Sequence, residues 1–270
     1  MGSKPGSVVA LTIMIERGWR MEAVVASQRN PHPWIAGPAL ADCAGARGIP
    51  VISQDELLKK QRADFVISYM FRNRVMPEVL ALANRAAVNF HAAPLPEFAG
   101  WAFYSVAILE NAQMYGCTCH HMDEAFDTGA LLKVRRFPVN TCRETAYSLE
   151  EKTQAEMVRL FVDFCEMAES DKELPYEPQD KSRMRYLTRA QFDALKKIPT
   201  SADAETIDRY ARAFWYPPYT CAHMAVGNHV AEVIPSTVRE ELATILHARD
   251  LDKLREIVEE PGHMVSPSQR

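Results

Sequence analysis

Asn89 and His91 stand two residues apart in the stretch Ala86–His91, where they alternate with Val88 and Phe90. Read as a strand, the alternation sends the amide and the imidazole to one face and the two apolar side chains to the other. Pro94 and Pro96 follow almost at once. Proline has no N–H to give a ladder, so the chain must leave the sheet there as a stiff loop. An imidazole at such a strand end can take or relay a proton near neutral pH. The amide NH2 beside it is a neutral donor that suits a developing oxyanion. A carboxylate would orient the imidazole and stabilise its charged form. Asp123, Glu124 and Asp127 all lie in one loop before Gly129, close in sequence to His120 and His121. Residue type alone leaves all three open. The plainer alternative for Asn89 and His91 is a buried pair satisfied by backbone groups.

The elements that must position these groups alternate in kind. A turn over Met1–Ser7 leads into a helix from Val8 to Arg17, stopped at Gly18. Gly2 to Gly6 could cradle an anion at that helix start, with Lys4 among them, but the stretch is too degenerate for a phosphate loop. Strands are expected at Glu22–Ala26, Pro50–Ser53, Asp64–Tyr69 and Ala86–His91. Helices between them are expected near Ala39–Ala46, Gln54–Gln61 and Pro77–Asn84. This alternation indicates a parallel sheet with crossover helices, and polar groups at a strand's carboxyl end suit a site in it. The expected opening strand before the first helix is missing. Helical spacing at Trp101–Glu110 fits the core better than a ligand platform. Strands at Tyr115–Met122 and Ala130–Phe137 and a long amphipathic helix over Thr141–Ser170 follow. Beyond a polar linker, Tyr186–Lys197 reads as a strand or turn and then a helix, and Ala204–Phe214 as another helix. A hairpin then turns at Gly227-Asn228, and Val238–Glu260 is expected to be helical.

The 270 residues are 47% hydrophobic and 24% charged, with a net charge of −4. That balance disfavours a nucleic-acid binder relying on bulk electrostatics. No run approaches the roughly 18 apolar residues of a membrane span, and the start lacks a signal-peptide plan, so a cytoplasmic protein without membrane contact is expected. The six cysteines follow no framework spacing, and Cys117-x-Cys119 has no second ligand pair, so reduced core thiols and no metal are expected.

Three blocks then agree in order and spacing: Asn89-x-His91, the loop Leu95-Pro96 to Gly100, and Gly116-x-Thr118-x-His120-x-Met122 through Asp127-x-Gly129. Together with Arg212–Tyr219 and Ser68–Arg72, they resemble the folate-dependent formyltransferase superfamily, most of all its sugar N-formyltransferases, over roughly residues 8–225. Ala92-Ala93, Ala99 and Cys221 depart from its usual residues. The resemblance implies an α/β, Rossmann-like, mostly parallel sheet of the formyltransferase type, here lacking its first strand. It implies a catalytic domain over 1–182 and a C-terminal α+β extension over 183–262, followed by a disordered tail over 263–270. It assigns catalysis to Asn89, His91 and Asp127. Ser68, Tyr69, Met70, Phe71, Asp123 and Glu124 would line the folate, and Lys4, Trp101 and Tyr219 would face the acceptor. The co-substrate implied is N10-formyltetrahydrofolate, without metal, and the acceptor a primary amine, foremost that of a nucleotide-linked amino sugar. Methionyl-tRNA, glycinamide ribonucleotide and hydroxyornithine are the competing acceptors, and a catalytically silent ligand-binding relative is the competing class. The hairpin and last helix could build a homodimer or an accessory lobe.

Overall fold

The computed structural model describes residues 1–2, 4–26, 38–100, 103–170, 172–238 and 242–243. In chain order the helices and strands begin with α1 (Pro5–Glu16), α2 (Leu40–Gly45), α3 (Gln54–Leu57), β1 (Ala63–Tyr69), α4 (Pro77–Leu80) and β2 (Ala83–His91). Then come β3 (Ala99–Gly100), α5 (Phe103–Leu109), β4 (Met114–His121), β5 (Leu131–Pro138) and α6 (Ala146–Glu169). The last are β6 (Tyr186–Leu187), α7 (Arg189–Leu195), α8 (Ala204–Phe214), β7 (Ala222–Val226) and β8 (His229–Val233).

The central sheet has the order β1-β2-β4-β5. β1 and β2 run parallel, with Ser68 opposite Asn89 and Tyr69 opposite Phe90. β4 then reverses direction, pairing Asn89 with His120 and His91 with Thr118, and β5 runs antiparallel to β4. On the far side of β1, the Tyr69 N–H donates to the Met1 carbonyl at 2.8 Å, and Gly2 forms a parallel bridge to Tyr69. The parallel alternation expected through residue 91 is present, and the sheet turns antiparallel beyond it. The expected strands at Glu22–Ala26 and Pro50–Ser53 shrink to one parallel bridge, Val24 with Val51.

Two expected helix bounds move for local reasons. The helix expected from Thr141 starts at Ala146 because Thr145 caps it: the Thr145 hydroxyl accepts from the Ser148 N–H while the Ser148 hydroxyl accepts from the Thr145 N–H. The helix expected to reach Asn84 ends at Leu80, since Ala83 is already paired with Ala63 in the ladder. The helix expected over Val238–Glu260 and the tail over 263–270 lie almost wholly outside the described residues.

The core lies between the sheet and α6. Leu149, Met157, Leu160, Phe161 and Phe164 recur on one face of that helix at helical spacing, and all are fully buried. Phe161 meets Phe90 at a ring-centroid distance of 5.0 Å and Tyr69 at 6.2 Å. Phe161→Ala is expected to cost about 3–5 kcal/mol of unfolding free energy. Urea denaturation measures it, and a loss of under about 1 kcal/mol would contradict this packing. All six cysteines are free; five are buried as expected of core thiols, with burial pushing the Cys117 thiol up to about 12, whereas Cys142 is exposed.

Met1–Val233 forms one compact unit and Ile234–Arg270 another. α7, α8 and the β7–β8 hairpin lie inside the first unit. In the second, Ser236–Val238 forms a short 3-10 turn. Among the described residues no helix is long and apolar enough to cross a membrane.

Candidate active site

β2 delivers Asn89 and His91 to one face, as its alternation requires, while Val88 and Phe90 enter the core. The His91 ring is buried, its edge set against Phe103 with centroids 4.9 Å apart. His91 Nε2 lies 2.8 Å from the Phe98 carbonyl oxygen. A carbonyl only accepts, so Nε2 carries the proton and, in the neutral ring, Nδ1 keeps its lone pair. Nδ1 lies 3.5 Å from Asp127 Oδ1.

Asp127 is held from several sides. Its backbone takes φ +59°, its Oδ2 accepts from the Gly100 N–H at 3.0 Å, and its carbonyl accepts from Gln179 Nε2 at 2.9 Å. The other two acidic residues are engaged differently, Asp123 through its side chain and Glu124 through its backbone. Asp123 Oδ1 accepts from the Thr128 hydroxyl and the Ala125 N–H, which folds the loop, and the Glu124 carbonyl accepts from Arg74. Of the three carboxylates left open by residue type, the structure brings Asp127 to the imidazole. Among the described residues no cluster of His, Cys, Asp and Glu could hold a metal ion.

These groups open into a cavity of about 550 Å³, a volume suited to a small molecule. Of the residues expected to line a folate, Ser68, Met70, Phe71, Asp123 and Glu124 lie on this cavity. Tyr69 does not: it is a correction to that expectation. One residue on from Ser68, strand alternation turns the Tyr69 ring into the core, stacked on Phe90 at 5.6 Å. Lys4 and Tyr219 also line the cavity, whereas Trp101 lies outside the described residues. Lys4 Nζ meets Glu150 at 2.8 Å and donates to the Tyr216 hydroxyl at 2.8 Å, and that hydroxyl also bonds Glu150. Its charge is therefore matched inside the protein.

Residue pattern gave His120 no role and did not single out the Glu150–Tyr216 pair. His120 had a usable signal, since alternation in β4 puts it on the same face as Thr118; its partner, however, depends on the cross-strand register. Glu150 and Tyr216 are far apart in sequence and meet only through tertiary packing.

Fold and site together bring an amide, an imidazole and a carboxylate to one strand end of an α/β sheet. The chain is similar to the folate-dependent formyltransferases in sequence and in fold. Residues 50–164 match the formyl transferase family. The chain is 28% identical over 236 residues to the methionyl-tRNA formyltransferase of Agathobacter rectalis, covering 82% of this chain and 74% of that protein. It is 30% identical over 168 residues to the GDP-perosamine N-formyltransferase of Brucella melitensis, 62% of each. Its fold matches that of the N-formyltransferase from Helicobacter canadensis, solved in complex with folinic acid and dTDP-3-aminofucose. The TM-score there is 0.70 at 20% identity, over 84% of this chain and 82% of that one.

Proposed function

We propose that the chain transfers the formyl group of N10-formyltetrahydrofolate to the amino group of a nucleotide-linked amino sugar. The observation that carries this reading is the Asp127 carboxylate facing the free Nδ1 of His91, beside the Asn89 amide, on one cavity. His91 Nδ1 takes the proton the amine loses as it attacks, and Asp127 offsets the imidazolium charge that results. The Asn89 NH2 donates to the oxygen of the tetrahedral centre. The folate wall in this reading is Met70 and Phe71 with the Asp123–Asp127 loop, apolar faces next to polar backbone, which suits a pterin. Arg72, Arg189 and Lys196 line the same cavity with Tyr216 and Tyr219. Cations beside aromatic faces suit a nucleoside diphosphate. The GDP-perosamine N-formyltransferase and the neighbour solved with dTDP-3-aminofucose support a sugar acceptor.

A methionyl-tRNA acceptor is the second reading, favoured by a match that spans more of the chain. The net charge of −4 counts against it, because tRNA binding draws on positive surface. The test incubates purified protein with N10-formyltetrahydrofolate and, separately, GDP-perosamine, dTDP-3-aminofucose, glycinamide ribonucleotide or charged initiator tRNA, and follows release of tetrahydrofolate. Turnover with an amino-sugar nucleotide is expected. Turnover with the tRNA alone would replace the acceptor, and none with any amine would leave a ligand-binding relative.

A further inference from the structure

We propose that Ser68 and His120 are positioning residues that fix which end of the Asn89 amide faces the cavity. This rests on the donor role given to Asn89 above. An amide's oxygen and nitrogen ends are nearly the same shape, so packing alone does not choose between them. Flipped, Asn89 would present a carbonyl to the oxyanion and oppose the reaction it is placed to assist.

The choice is made by a chain of hydrogen bonds with one possible direction. It starts at the His121 backbone carbonyl, which only accepts and lies 2.7 Å from His120 Nδ1. His120 Nδ1 therefore carries a hydrogen. The His120 ring is 2% exposed, and burial lowers its pKa to about 4, so at neutral pH it has only that one proton. Asp127, 3.8 Å from Nε2, pulls the other way, but that carboxylate is nearer His91 and accepts from the Gly100 N–H. His120 Nε2 is thus a bare acceptor, and the Asn89 atom 3.1 Å away must be the NH2 nitrogen. Asn89 Oδ1 is left at the far end, where the Ser68 hydroxyl donates to it at 2.6 Å. Ser68 can donate or accept, so it follows the direction that His120 sets and strengthens it. One hydrogen of the Asn89 NH2 is spent on His120, which leaves the second for the cavity. By this reading His120 moves no proton during the reaction.

Two experiments test this, and they fail separately. Nitrogen NMR of the histidine-labelled wild-type protein is expected to show one buried ring with Nδ1 protonated and Nε2 bare throughout pH 5.5–8. A proton on Nε2 of that ring, identified by its loss in His120→Asn, would overturn the proposal without any activity assay. The second experiment is a kinetic cycle with GDP-perosamine or dTDP-3-aminofucose as acceptor. Ser68→Ala is expected to lower kcat about 3- to 10-fold, the size of one net hydrogen bond, with KM for both substrates within about 2-fold and recovery in Ser68→Thr. In an Asn89→Ala background, Ser68→Ala is expected to do nothing more, because its effect runs through that amide. An undiminished second loss there would overturn the positioning role while leaving the donor role intact. Full activity in Asn89→Ala itself would instead overturn the donor role.

Discussion

His91→Ala is expected to lower kcat/KM by about 10²–10⁴, the range that a positioned general base contributes. Most of the loss should fall on kcat, because the ring is buried at the strand end and its Nε2 is already committed to the Phe98 carbonyl. Only Nδ1 is left for chemistry, and Asp127 lies 3.5 Å from it. Removing the ring leaves that carboxylate with no cation to balance, so Asp127→Asn in the His91→Ala background should cost far less than in the wild type. Steady-state kinetics on the two single variants and the double variant measure this. Additive losses would mean that His91 and Asp127 do not act as a unit, and turnover unchanged in His91→Ala would remove the mechanism.

Gly129→Ala should damage stability and catalysis together. A Cβ built there would lie 1.9 Å from the His121 carbonyl oxygen, which is backbone and cannot swing aside as a side chain can. Overpacking against fixed atoms costs about 1–3 kcal/mol and sometimes more, and here we expect the upper end or beyond. The displaced carbonyl is the one that holds the His120 Nδ1 proton, and Gly129 stands two residues after Asp127. Any shift that relieves the clash therefore moves both flanks of the site. We expect a drop in urea midpoint together with at least about a 10-fold loss of kcat, measured under conditions where the variant is still folded. A variant with wild-type stability and activity would show that the backbone accommodates the methyl without strain.

Much of this site could be read from residue pattern because it is built on strands. The period of two in β2 put Asn89 and His91 on one face and proved sufficient to place them. The same period also turns Tyr69 away from the cavity: it follows Ser68, and neighbouring strand residues face opposite ways. The choice among Asp123, Glu124 and Asp127 was not available from residue type, because it is settled by loop hydrogen bonds and a left-handed φ at Asp127. Helix bounds were legible to within a few residues where a cap sets them, though the Thr145–Ser148 reciprocal pair has no Glu or Gln signature to announce it. Strand pairing was the least legible part. Nothing in the order of elements announces that β4 reverses direction beside β2, and that reversal is what brings His120 opposite Asn89.

That reversal also makes the site a reporter of assembly. Helices such as α6 draw on neighbouring residues and can form early, whereas Asn89 meets His120 across a separation of 31 residues, and non-local strand pairing is slow. A β4 paired one residue out of register would set His121 or Cys119 against Asn89 and turn its whole polar row to the other face, leaving a compact chain without a functional amide. Recovery of formyl transfer after dilution from urea therefore marks the moment the third strand locks into place, later than the return of helical circular dichroism.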